Sequence, residues 1–208
     1  MPAYFSRETM RFLADLAKHN ERAWFEPNKA RYEALVKEPA GRLVAEVGSR
    51  LRMEGKVMRI YRDTRFSKDK TPYKTNVGLS WHPPGPPRGP LLGGVYLHVS
   101  PRESFVAAGA WHPERDVLGK IRDAIVEKPA AWAKARKVGL DEDEDTLARA
   151  PRGFDPEHKL IDDLKRRNFT ASVDLTDAQV TSDALPKLVV DAEKRLRPLN
   201  AFLVDAAR

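Results

Sequence analysis

The sequence predicts an α+β fold: an antiparallel sheet of about five strands with helices from both the N- and C-terminal parts packed on it. Three patterns carry that prediction. Apolar residues recur at helical spacing through residues 6–54, and the period drops to two between 57 and 111. Helical spacing returns from 114 onward, interrupted by one further alternating run at 169–175. The alternating runs follow one another through hairpin-length links, which cannot make parallel crossovers, so they pair antiparallel.

Taken in order, Ser6 can cap a first helix whose Met10, Leu13, Leu16 and Ala17 share a face. The stretch from Asn20 to Asn28 breaks it, and Asn28 is placed to cap a second helix with Tyr32, Leu35 and Val36 inward. Pro39 interrupts or starts a segment in which Leu43, Val44, Val47 and Leu51 keep the helical period. The first strand is expected over Val57–Tyr61. The second puts Thr75, Val77, Leu79 and Trp81 on one face and Asn76, Gly78, Ser80 and His82 on the other. Val95, Leu97 and Val99 alternate with Tyr96, His98 and Ser100 in the third, and Ser104–Trp111 forms the fourth. Helices are expected over Glu114–Glu127, Pro129–Val138 and Asp183–Ala207, with a fifth strand at Phe169–Leu175. Asp141–Asp145, a run of five acids, reads as a solvated loop or helix start. Residues 82–94 form a Pro-rich loop, because five prolines there forbid regular structure. With no repeat and no linker, residues 1–208 read as a single α+β domain.

Composition narrows the function classes. Among 208 residues there is no cysteine, which excludes disulfides, thiolate metal sites and cysteine nucleophiles. No window approaches the apolar length of a membrane span, and the first residues lack a signal-peptide core, so the expectation is a cytoplasmic protein without a membrane partner. The formal charge of +7 favours acidic partners in a general way.

That charge is concentrated. Between Arg59 and Lys74 stand Arg59, Arg62, Arg65, Lys68, Lys70 and Lys74 against only Asp63 and Asp69, a local excess of +4, with Tyr61, Phe66 and Tyr73 between them. Arginine offers a planar fork that holds carboxylate or phosphate through paired hydrogen bonds, and lysine adds a mobile point charge. The segment should be a loop between strands, since Pro72 and the two aspartates disfavour regular structure.

The string Arg62-Asp-Thr-Arg-Phe-Ser-Lys-Asp-Lys-Thr-Pro-Tyr-Lys-Thr-Asn76 is distinctive in its setting. It is preceded by Asn20-Glu-Arg-Ala-Trp-Phe-Glu-Pro-Asn-Lys-Ala-Arg-Tyr32. It is followed by Gly94-Val-Tyr-Leu-His-Val99, Glu103-Ser-Phe-Val106, Gly109-Ala-Trp-His-Pro-Glu114 and Pro151-Arg-Gly-Phe-Asp-Pro-Glu-His158. Together these motifs resemble the bacterial and fungal family called domain of unknown function 2461, from about Tyr4 to Val204. The resemblance implies one full-length domain and assigns no activity and no catalytic residue.

Three readings of the residues compete. In the first, the basic loop binds a phosphate- or carboxylate-bearing small molecule: Arg59, Arg62, Arg65, Lys68, Lys70 and Lys74 supply charge, and Tyr96 and His98 orient the anion or move a proton. In the second, the loop holds nucleic-acid phosphates while aromatics stack on bases. Four such contacts to a duplex would cost on the order of a hundredfold in affinity between roughly 50 and 200 mM salt. In the third, the loop is an internal salt-bridge network in a structural or protein-interaction domain, tying Arg62 or Arg65 to an acid such as Glu103 or Glu114. His98 and His112 are the histidines considered for acid–base work, because neutral imidazole titrates near working pH. No metal-ligand spacing, phosphate loop or nucleophile elbow occurs, so no cofactor or metal is expected and the question of catalysis stays open. Oligomeric state is not legible in the chain.

Overall fold

Antiparallel strands in the order β1-β2-β3-β4-β5 make one sheet, so each strand neighbours the next in sequence. The computed structural model describes residues 3–65, 67–85 and 92–208. The strands are β1 (Glu54–Val57), β2 (Val77–His82), β3 (Val95–Val99), β4 (Ser104–Ala110) and β5 (Phe169–Leu175). Helices α1 (Arg7–Lys18), α2 (Arg22–Tyr32) and α3 (Glu38–Leu51) precede the sheet. Between β4 and β5 come α4 (Arg115–Glu127), α5 (Pro129–Ala135) and α6 (Ile161–Lys165), and the chain continues through α7 (Asp177–Val180) and α8 (Leu185–Ala206). Two compact units result: Met1–Pro83 with Tyr96–Val106 and Val173–Ala192, and Pro84–Val95 with Ala107–Ser172 and Glu193–Arg208.

In the first unit, Ser6 caps α1 as its sequence position implies, in a reciprocal box with Thr9. The inward face holds Phe12 beside Met10, Leu13 and Leu16, whereas Ala17 is exposed. Helix α2 begins at Arg22, six residues before the expected cap. Pro27 lies within it, and the Asn28 side chain turns back to donate to the Trp24 carbonyl instead of capping. A five-residue π-helical turn, Glu33–Lys37, then carries the chain without a break into α3, where Pro39 donates no bond and the Leu35 carbonyl accepts from the Thr9 hydroxyl instead (2.9 Å).

Helix α3 packs on β1 and β2. Trp81 is fully buried there and donates its indole N–H to the Val44 carbonyl (3.0 Å), satisfying the one polar atom of a large apolar ring. Gly55, directly opposite Trp81 in the β1–β2 register, leaves the space that the indole fills: a Cβ would sit 2.6 Å from it.

Strand β1 starts three residues before the expected position and ends at Val57, where regular pairing stops. The chain still runs antiparallel beyond it, with Met58 N–H donating to Gly78 O, Lys74 N–H to Ile60 O and Arg62 N–H to Pro72 O. Two extra residues on the returning side, around Thr75 and Asn76, separate the two registers, so pairing resumes as a Tyr61–Tyr73 bridge. The polar residues of these strands therefore divide. Tyr61 pairs with Tyr73, which stacks on Phe25 of α2 (4.1 Å), so Tyr61 does not share the Tyr96–His98 face. Gly78 and Ser80, on the face of β2 opposite Val77, Leu79 and Trp81, are buried as well.

Asn20, in the α1–α2 link, fixes this hairpin. Its amide donates to Tyr73 O (2.8 Å) and accepts from Tyr73 N–H (3.0 Å), imitating a neighbouring strand. Asn20→Ala would leave both backbone groups of a buried tyrosine without partners. A loss of about 2 kcal/mol is expected, read as a lower midpoint in urea unfolding with unchanged slope.

The second unit is built around Trp132, Phe169 and Phe202, with Ile121, Ile125, Leu164, Leu196, Leu199 and Leu203 buried beside them. Strand β5 lies where the alternation places it, and α8 falls within the expected 183–207. The short α6 and α7 were not anticipated, being too brief to show a helical period. The acidic run is a loop and largely solvated as expected, with one exception. Asp143 is buried and accepts from Arg167 N–H (2.6 Å), Asn168 N–H (3.1 Å) and Asn168 Nδ2 (2.8 Å). No described helix is long and apolar enough to cross a membrane. The middle of the Pro-rich loop, residues 86–91, and Phe66 lie outside the described residues.

Candidate functional site

The basic segment is the tip of the Met58–Val77 hairpin, and two aspartates order it. Asp63 accepts from the Arg65 backbone N–H and holds the Arg65 guanidinium through two bonds (3.0 and 2.7 Å). Asp69 repeats the device, accepting from Thr71 N–H (2.9 Å) and pairing with Arg62, which also bonds the Thr71 hydroxyl. The Thr71 N–H, then the Arg62 guanidinium, pull the Asp69 carboxyl down to about 2. Lys70 donates to the Thr64 carbonyl (2.9 Å), while Lys68 is exposed. Arg62 and Arg65 thus find their acids inside the loop and not at Glu103 or Glu114.

Arg59 and Lys74 differ. Each sits on one strand of the hairpin below the tip, and among the described residues neither forms an ion pair. Lys74 is half-buried. That burial first, and then the Arg59 charge, hold its ammonium below the usual lysine range. The Arg59 charge helps to lower the Asp63 carboxyl, and that carboxylate is already engaged by Arg65.

Two residues past Lys74, Asn76 enters a second group. Its amide donates toward Tyr96 Oη (3.5 Å) and His98 Nδ1 (3.4 Å), and those two atoms are 3.3 Å apart. The His98 ring lies flat on Phe105 (4.8 Å between centroids, 3° between planes). Burial lowers the His98 imidazole below its ordinary value, against the opposing pull of Glu103. Burial also raises the Tyr96 phenol. At neutral pH the group is therefore uncharged, and an uncharged imidazole can accept at Nδ1. The alternation of β3 placed Tyr96 beside His98 in the sequence. Period two likewise puts Asn76 on the face of the second strand opposite Val77, and the structure brings it to this pair.

His112 belongs to the second unit and to a different environment. It follows β4 with a positive φ of 45°, its N–H donates to Asn168 Oδ1 (2.7 Å), and its exposed ring stands 4.0 Å from Asp145. Trp111 beside it is 52% exposed and meets the imidazole edge-on. Asn168 is itself held by Asp143, so the buried carboxylate of the acidic run sets the backbone at His112. Sequence reading missed both supports, since neither residue lies near His112 in the chain. His158 uses its ring nitrogen to accept the Leu160 N–H, a local backbone role.

Among the described residues no three His, Asp or Glu side chains converge as metal donors. Comparison with curated proteins and with solved structures finds no match. Residues 8–202, nearly the whole chain, match the family model described as conserved hypothetical protein (DUF2461), and the chain belongs to that family.

Proposed function

We propose that this protein binds a small phosphate- or carboxylate-bearing molecule, with Arg59 and Lys74 as the principal cations. The observation that carries the reading is Lys74: a half-buried ammonium beside a guanidinium, with no acid paired to either among the described residues. The exposed Arg59 guanidinium beside a partly buried ammonium is unfavourable, and an anion between them would reverse the sign of that interaction. The tip residues Arg62 and Arg65, paired with Asp69 and Asp63, favour a structural role in ordering the loop, consistent with the network reading for those two positions. Lys68 and Lys70 would add long-range attraction.

Calorimetric titration with inorganic phosphate, pyrophosphate and citrate tests the proposal. Arg59→Ala and Lys74→Ala should each weaken the binding by roughly 10- to 100-fold, the range of a charge-assisted hydrogen bond. Lys18→Ala on α1 should leave it unchanged. Absence of heat with every anion would remove the reading. Tight binding of an oligonucleotide, with a steep loss as salt rises, would replace it by nucleic-acid binding.

A further inference from the structure

We propose that Tyr96 is a base-assisted hydroxyl nucleophile toward activated esters, with His98 as its proton acceptor and Asn76 as the positioning residue. The proposal uses atoms other than the two cations and stands without the anion reading.

The arrangement is a nucleophile, a base and an orienting group within hydrogen-bond reach. Tyr96 Oη and His98 Nδ1 are 3.3 Å apart, and the Asn76 amide lies 3.5 and 3.4 Å from them. With the imidazole proton on Nε2, the single Nδ1 lone pair, which both the Asn76 amide and the Tyr96 hydroxyl face, is free to take the phenol proton. Such contacts in an unliganded site tighten when the reacting group arrives. Phe105, stacked on the imidazole, fixes the plane in which the Nδ1 lone pair points. Gly78 fixes the phenol. Any side chain there would begin 2.9 Å from Tyr96 Oη and 3.0 Å from Met58 Sδ, so the hydroxyl occupies room that only glycine leaves.

The charge states fit the roles. Tyr96 stays protonated at neutral pH because burial opposes phenolate, so it needs a base; His98 stays neutral because burial opposes imidazolium, so it can serve as one. In the step, Tyr96 Oη bonds to the ester carbonyl carbon and the bond to the leaving oxygen breaks. The phenol proton passes to His98 Nδ1 and from the imidazolium on to the departing oxygen, which leaves as the alcohol. The Asn76 N–H meets the negative charge that grows on Oη. The products are acyl-Tyr96 and the free alcohol.

The probe is 4-nitrophenyl acetate on the intact chain, with acetylated peptides mapped by mass spectrometry. Tyr61 is the internal control because it is 52% exposed and has no base partner of this kind. Tyr96 should acetylate at least tenfold faster than Tyr61. His98→Gln should remove that advantage without changing Tyr61, and Gly78→Ala should do the same by displacing the hydroxyl. The rate at Tyr96 in the native chain should rise with the imidazole titration, well below the phenol range near 10. That profile decides the matter should either variant fail to fold. Labelling of Tyr96 no faster than of Tyr61, or a rate that follows phenol ionisation alone, overturns the proposal.

Discussion

Gly109→Ala should be the most damaging single-methyl change in the chain, with an expected loss of roughly 4 kcal/mol or more. Gly109 lies in β4 with φ of 131°, a conformation that side-chain-bearing residues rarely adopt and that costs about 1–3 kcal/mol when forced. A Cβ there would sit 2.1 Å from the Phe169 carbonyl oxygen and 2.9 Å from the Thr170 Cα. Both are backbone atoms of β5, so no rotamer change relieves the overlap. The strands would have to separate, beside the fully buried Phe169. Against a typical stability of about 5–15 kcal/mol, the loss corresponds to a melting temperature lower by on the order of 10 °C, or to failure to fold. The control is Gly119→Ala in α4, where nothing lies within 4 Å of the new methyl. Helix propensity alone acts there and should stabilise by about 0.5–1 kcal/mol. Thermal unfolding of the two variants side by side checks both signs, and equal melting temperatures would refute the close-approach argument.

The elements that sequence revealed are those whose periodicity has a local cause. Ser6 caps α1 because its hydroxyl reaches Thr9 N–H three residues on. Strand β5 alternates because one face of each residue pair is buried, and α8 repeats leucines because a single stripe faces the core. Where sequence reading went astray, a distant partner decided the outcome. Asn28 was assigned a cap that α2 does not need, since the helix had already begun at Arg22. Within the solvated acidic run, no local signal singles out Asp143, whose carboxylate meets the backbone at Arg167 and Asn168. The site divides in the same way. Tyr96 and His98 share a strand face by simple alternation. Asn76 joins them on the face that period two gives it, whereas the isolation of Arg59 and Lys74 from acids follows from the engagement of Asp63 and Asp69 within the loop tip.

Asp143→Ala is expected to cost about 3 kcal/mol and to release the backbone at His112. The buried carboxylate accepts from Arg167 N–H, Asn168 N–H, Asn168 Nδ2 and Asp145 N–H, and an alanine would leave these donors without their acceptor. Asn168 would then lose the contact that orients its amide. The bond it accepts from His112 N–H, which holds that residue at positive φ, would weaken with it. Asp143→Asn tests the charge separately, because it keeps one acceptor oxygen and should lose less, about 2 kcal/mol. The native carboxyl also has a pH signature. Burial raises its pKa, yet the Asn168 amide and the three backbone N–H groups together outweigh burial and hold it below the ordinary aspartate value. A carboxyl depressed on folding stabilises the native state fully above its unfolded pKa of about 3.9, and that contribution fades as pH falls through the folded value. Urea unfolding at neutral pH and below about pH 4 should therefore show the native chain and Asp143→Asn converging as the pH drops. Parallel stability curves for the two would mean that the carboxylate charge is not what the loop is built on.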